Sequence, residues 1–231
     1  MKREPIDPKS IKYIYDESKY LVRNKETNEI FKLEINQDQW AENPREWDNV
    51  CTIISPCNRE WDVSDKGHHM DVEEFKRWLT KAEKNDNISW RYIYMYDHSG
   101  QTISLTSFGD PWDSGICGII YVDKKTVLKE CGGATKDNWK EKAFEQMKAE
   151  IEVYDQFIRG DVYGFRLCEA HQTQHKDLRN KEEWETTEWR QIEACSGFYG
   201  DDPNENGLFD EVGIPKYYDI IEEIDDDDED D

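Results

Sequence analysis

Three groups of residues in this chain have types and spacing that could do chemistry. The first is Asp97-His98, followed by Asp113-Ser114-Gly115 and Cys117. A thiol nucleophile, an imidazole base and an orienting carboxylate are the parts of a nucleophilic site, provided they converge in space. Asp161 is a further carboxylate for a hydrolase of this kind. Against this, a turn histidine is commonly just exposed, and Asp-Ser-Gly is a common turn. The second group is Asp202, Asn204, Asn206, Gly207 and Asp210, which match positions 1, 3, 5, 6 and 9 of a calcium loop. Gly213 stands where the bidentate Glu should be, and Pro203 disturbs position 2, so a polar turn is the preferred reading. The third group is Cys51, Cys57, His68 and His69. Its spacing fits no zinc template, and no Cys-x-x-Cys occurs. His171 and His175 lie four apart, but their segment lacks the Glu of a His-Glu-x-x-His helix and any apolar face. No Walker, GxGxxG or GxSxG motif is present. The sequence therefore assigns no catalytic set, no metal and no cofactor.

Composition says more about partners. The 231 residues hold 53 acids against 30 bases, a formal net charge of −23. Aromatic residues make up 13%, which separates the chain from disordered acidic polymers. A charge of this sign opposes direct binding of DNA or RNA, whose affinity comes from Lys and Arg on phosphates. It opposes docking on anionic lipid too. It attracts basic partners. No run of about 18 apolar residues suggests a membrane span. The opening MKREPIDPKS lacks the apolar core of a signal peptide. Six Cys without a secretory signal read as reduced thiols, and the expected location is the cytoplasm.

Hairpins and a few helices must position these groups. Residues 1–10 read as loose; 11–15 and 28–35 read as short strands separated by a polar turn, and 50–54 as another. The spacing of Val72, Phe75, Trp78, Leu79 and Ala82 predicts a helix over 71–84, with Asp71 as N-cap and Glu74 completing a capping box. Residues 89–107 read as a hairpin turning at His98-Ser99-Gly100. Its first strand is apolar on both faces and so is expected to be covered on both. Residues 116–122 read as a buried strand, and Asp123 as the cap of a short helix ending near Cys131. The apolar steps from Trp139 to Ile158 predict the longest helix, over 137–158, closed by Gly160. Residues 161–168 and 186–195 read as strands around a polar linker, 169–185. The sum is an α+β fold: a single domain over 11–218, with a mostly antiparallel sheet of hairpins packed by two or three helices.

Residues 219–231 hold ten of the acids and no base, so 13 of the 23 surplus negative charges remain on the preceding 218 residues. The run Asp225, Asp226, Asp227, Asp228, Glu229, Asp230 is expected to be solvated and disordered, and to bind basic groups. Trp40, Trp47, Trp61, Trp112 and Trp184 lie in polar, loop-like stretches. They either close over the core from its edges or form a binding surface, with Trp47, Trp61 and Trp112 the binding candidates.

Five phrases occur in order across residues 44–200. They are Pro44-Arg45-Glu46-Trp47-Asp48-Asn49; Arg59-Glu60-Trp61-Asp62-Val63-Ser64-Asp65; Asp113-Ser114-Gly115-Ile116-Cys117-Gly118 with Ile120-Tyr121-Val122; Tyr154 to Phe165 (YDQFIRGDVYGF); and Cys195-Ser196-Gly197-Phe198-Tyr199-Gly200. This resembles a group of accessory proteins encoded by phages, plasmids and integrated elements of Gram-positive bacteria. Members carry a His-Arg-Arg-Tyr-like stretch ending in Leu-Gly-Asp. Here Asn58-Arg59-Glu60-Trp61 and Val63-Ser64-Asp65 stand in its place, so no histidine chemistry carries over. The resemblance implies a mobile-element setting and no mechanism. Together with the charge, it leads to the expectation of an anti-defence inhibitor. Such a protein would bind a basic host protein, a nuclease or defence complex, by DNA mimicry. The alternatives are a small hydrolase or nucleotide-processing enzyme, and an acidic scaffolding or chaperone-like protein acting through its tail.

Overall fold

The computed structural model describes residues 4–14, 17–176 and 183–224. The chain is α+β, as expected, and every strand-to-strand pairing is antiparallel. The strands make two sheets, in two compact units. One unit comprises residues 1–41 and 160–231, and the other is the continuous segment 42–159.

The first unit holds β1 (Glu17–Asn24), β2 (Ile30–Gln37), β7 (Val162–Lys176), β8 (Glu183–Tyr199) and β9 (Tyr218–Ile224), ordered β8-β7-β2-β1-β9. Tyr20, Val22, Phe31, Leu33, Ile35, Phe165, Leu167 and Ile220 share one face of this sheet and form its core with Leu208, Phe209 and Val212 of the short helix α4 (Leu208–Val212). β1 lies where a polar turn was expected. Only Tyr20 and Val22 of its ESKYLVRN join the core, with Leu21 between them half-buried on the other face, so the apolar run is just three residues long inside a polar stretch. Residues 11–14, expected as a strand, join no ladder; Ile14 donates its N–H to the Asp201 carbonyl at 2.7 Å. Ile6 likewise donates to the Ile220 carbonyl at 2.7 Å, which ties down part of the segment read as loose.

Two further expectations fail in this unit. The polar linker 169–185 is largely strand. β7 and β8 pair from Val162↔Tyr199 to Lys176↔Glu183 with two register shifts, while β2 stops at Phe31↔Glu169. Beyond Glu169 the two strands form a ribbon of mostly polar residues.

 Past Glu169, no other strand pairs with this ribbon among the described residues, and its residues are mostly exposed. The second failure concerns the acidic tail. Residues 219–224 form β9, which pairs with β1 from Lys19↔Ile224 to Asn24↔Tyr218 and buries Ile220. Its residues (DIIEEI) come in pairs and its register skips Ile221, so no period of two marked this strand inside a charge run. Asp225, Asp226, Asp227, Asp228, Glu229 and Asp230 lie outside the described residues.

The second unit holds β3 (Thr52–Ile54), β4 (Ile88–Asp97), β5 (Gln101–Ser104) and β6 (Ser114–Asp123), ordered β3-β6-β4-β5. Its helices α1 (Val72–Ala82), α2 (Lys124–Glu130) and α3 (Trp139–Arg159) match the three predicted. The Asp71 carboxylate caps α1 by accepting the Glu74 N–H at 2.8 Å, and Asp123 caps α2 through Lys125 and Thr126. α3 lays Trp139, Ala143, Met147, Ile151 and Tyr154 against Ile93, Met95, Cys117 and Ile120. The strand edge at β5 is closed by Asp155, which accepts from the Ile103 N–H and the Thr102 hydroxyl, both at 2.7 Å. Gly118 is required where β6 meets β3: a Cβ there would stand 2.7 Å from the Ile54 carbonyl oxygen. No helix among the described residues is long and apolar enough to cross a membrane.

Candidate functional site

The most ordered polar cluster of the second unit surrounds Arg45. Its guanidinium is 4% exposed. Nε and Nη2 donate to the two Asp65 oxygens at 2.8 and 3.0 Å, Nη1 to Glu150 at 2.7 Å, and Nη2 also to the Cys51 carbonyl at 2.8 Å. Glu150 in turn accepts from the Val50 and Cys51 N–H groups and from Gln146. Asp65 accepts the Ile53 N–H at 2.8 Å. Burial by itself would lower the Arg45 pKa, but hydrogen bonds and charge from Asp65 and Glu150 outweigh it and raise the pKa. A guanidinium with this many partners is a rivet between the 44–50 loop, β3 and α3, with no donor directed at solvent chemistry. Two of the five phrases of the sequence resemblance, at 44–49 and 59–65, thus supply a structural ion network.

The proposed nucleophilic set comes together only in part. His98 Nδ1 lies 3.1 Å from Asp113 Oδ2 on the exposed end of the second sheet. Cys117 is elsewhere: it is 0% exposed, its thiol faces the Ile93 carbonyl at 3.5 Å, and burial pushes its pKa up to about 12. A thiol in that setting is a small hydrophobe and not a nucleophile. Asp161 belongs to the first unit, where its carbonyl accepts the Gly200 N–H at 2.8 Å.

The residues of the calcium-loop fragment fold the chain onto itself. Asp202 accepts the Asn204 N–H at 2.9 Å, and Asn206 accepts the Leu208 N–H at 2.9 Å. The Asn204 amide donates to the Pro8 and Ile11 carbonyls, which pins the N-terminal segment. Asp210 is exposed on α4. Cys51 and Cys57 do not gather with His68 and His69. Cys51 is buried, with its pKa raised by burial and then by the Glu150 charge, while His69 contacts Asp62 at 2.9 Å. No group of three potential metal ligands forms among the described residues. His171 and His175 lie on a strand and not a helix.

The tryptophans divide between the two expectations. Trp61 closes over the core: its indole N–H donates to Asp97 at 3.0 Å, and its ring covers Gly115. Trp40 and Trp112 are each 91% exposed, and Trp47 is 45% exposed. The side chain of Trp184 lies outside the described residues. Trp40 stands beside an open groove of about 450 Å³ on the first sheet, lined also by Gly164, Arg166 and Cys195. Arg166 is committed to Glu34 at 2.6 Å, and Glu34 also holds Lys32 at 2.8 Å.

Sequence reasoning missed two surfaces. On β4, Ile93 and Met95 are buried, while Trp90, Tyr92, Tyr94 and Tyr96 are only half-buried on the opposite face. These rings contact in series, with centroids 5.1 Å apart for Trp90–Tyr92 and 6.3 Å for Tyr92–Tyr94. The strand was expected to be covered on both faces, and this face is covered in part: Trp90 and Tyr92 pack against Ile54, Ile119 and Phe75 of α1. Aromatic bodies with polar tips tolerate partial exposure, and the run of alternate Tyr was the available signal. The other surface is the outer edge of β8. Glu185, Glu188 and Glu193 are exposed along it, and Glu185 accepts only the Gln174 amide among the interactions seen there, at 3.0 Å. The stretch 183–191 (EWETTEWRQ) has no period-two apolar pattern that could have signalled it. Comparison with protein-family models, curated proteins and solved structures finds no match to this chain.

Proposed function

We propose that this chain is a mobile-element accessory protein that binds a basic, nucleic-acid-binding host protein in the bacterial cytoplasm and competes with DNA for it. A nuclease or defence complex is the target class, which makes the activity anti-defence. The observation that carries this reading is the acidic β8 edge, where Glu185, Glu188 and Glu193 stand exposed on a chain with a net charge of −23. Carboxylates spaced along a strand offer a basic groove the charge it meets on nucleic acid, and the field speeds encounter. The test is a pull-down from host lysate with tagged protein, washed at low and high salt. The expected result is a nucleic-acid-binding protein that salt releases and DNA displaces. A partner that resists both salt and DNA, or no partner at either salt, would sink the proposal. The Asp113–His98 contact favours a second reading, a small hydrolase, but no nucleophile accompanies that pair among the residues first proposed for it.

A further inference from the structure

The ribbon beyond β2 has an unusual edge. β8 is the terminal strand of its sheet and pairs only with β7 among the described residues. Natural edge strands are guarded by shortness, by charged side chains (Lys above all), by Pro, or by bulges. β8 is 17 residues long and has no Lys or Pro. It has two irregularities. The register skips Gly197 between Tyr163↔Phe198 and Gly164↔Ser196, and skips Ile192 between Leu167↔Glu193 and Cys168↔Gln191. Both guard the end nearer the core. From Cys168↔Gln191 to Lys176↔Glu183 the register is unbroken, so residues 183–191 present an edge guarded by charge alone. Past Glu169 the ribbon is two-stranded, and an isolated two-stranded hairpin is marginal in water. A third strand would supply the missing ladder.

The charge selects that strand. Glu185 and Glu188 are exposed on this stretch, and its one Arg, Arg190, pairs directly across from Glu169. Self-pairing would bring Glu185 and Glu188 of two copies into one ladder and set −23 beside −23. Like charges across a ladder are unfavourable, and opposite charges favourable.

We infer that residues 183–191 of β8 receive an extended basic segment of the partner as an added antiparallel or parallel strand. This rests on the reading of the chain as a binder of a basic protein. Main-chain hydrogen bonds give the segment its conformation, and its Lys or Arg side chains meet Glu185 and Glu188.

The test uses the full chain and two nine-residue peptides of equal charge, one repeating Lys-Lys-Thr, which places Lys on both faces of an added strand and so opposite both Glu185 and Glu188, the other repeating Lys-Lys-Pro. Proline lacks the N–H that strand addition needs. Calorimetry at low salt reads affinity, and hydrogen exchange reads the amides of 183–191. The Lys-Lys-Thr peptide is expected to bind at least about tenfold more tightly and to slow exchange across 183–191. The double variant Glu185→Lys, Glu188→Lys is expected to weaken that peptide by about tenfold, as the loss of two favourable cross-strand pairs implies. Equal binding of both peptides without protection of 183–191 would overturn strand addition and leave the acidic-binder reading standing. Binding of neither would overturn both. Protection of 183–191 in the free protein, with a dimer by sedimentation, would give the edge to a second copy and overturn the inference.

Discussion

Arg45 sits between two carboxylates with its side chain almost wholly out of water. Removing one member of such a network strands buried charge, which costs about 3–5 kcal/mol. Arg45→Ala is therefore expected to lower unfolding free energy by about that much, read by urea titration. Arg45→Lys should also lose stability, because an ammonium cannot span Asp65 and Glu150 with the same fork. Nothing in the sequence distinguished this arginine from a surface one; its partners are 20 and 105 residues away. The thiols give a second residue-level prediction. Alkylation of the native protein should mark Cys195, which is exposed, well before Cys51, Cys117 or Cys168, which are buried. Fast native labelling of Cys117 would restore it as a nucleophile. Glu34 gives a third. Burial would raise its pKa, but Lys32, Arg166 and Lys19 outweigh burial and lower it. A depressed carboxyl stabilises the fold above its unfolded value of about 4.3 and loses that contribution as pH falls through the folded value. The stability gap between the native chain and Glu34→Gln should thus be widest above about pH 4.3 and close in more acidic buffer.

At the level of elements, the legible parts were those with a strong local signature. The 3.6-residue apolar steps found α3, the Asp caps found α1 and α2, and the turn at His98-Ser99-Gly100 found the β4–β5 hairpin. β1, β9 and the far ends of β7 and β8 were missed because they bury few side chains or none, so hydropathy carries little of their pattern. The site suffered the same way: only His98 and Asp113 were brought together, and the acidic edge of β8 depends on strand order, which no local window contains. β9 changes what a tail deletion means. Removing 225–231 should leave thermal stability unchanged. Removing 218–231 should unfold the first unit, since it takes Ile220 from the core and uncovers β1. Calorimetric melting of the two truncations distinguishes them. If the shorter one abolishes partner binding while folding normally, the acidic run and not β8 carries recognition.

For the whole molecule, charge is the dominant property. Exposed charges lose their reach as salt shortens the screening length to about 10 Å at 0.1 M. Association with a basic partner should therefore slow steeply with salt while dissociation changes less, a pattern stopped-flow mixing can separate. The order of the chain has its own consequence during synthesis. β1 and β2 are translated first, but β7 and β9, which flank them in the sheet, follow only after residues 42–159. On the ribosome, the continuous second unit can complete its core while the β1–β2 hairpin waits with both edges open. A nascent chain paused within that interval exposes Leu33, Ile35 and Val22 to whatever chaperone is at hand. The pace of translation through the second unit thus sets how long the first remains vulnerable.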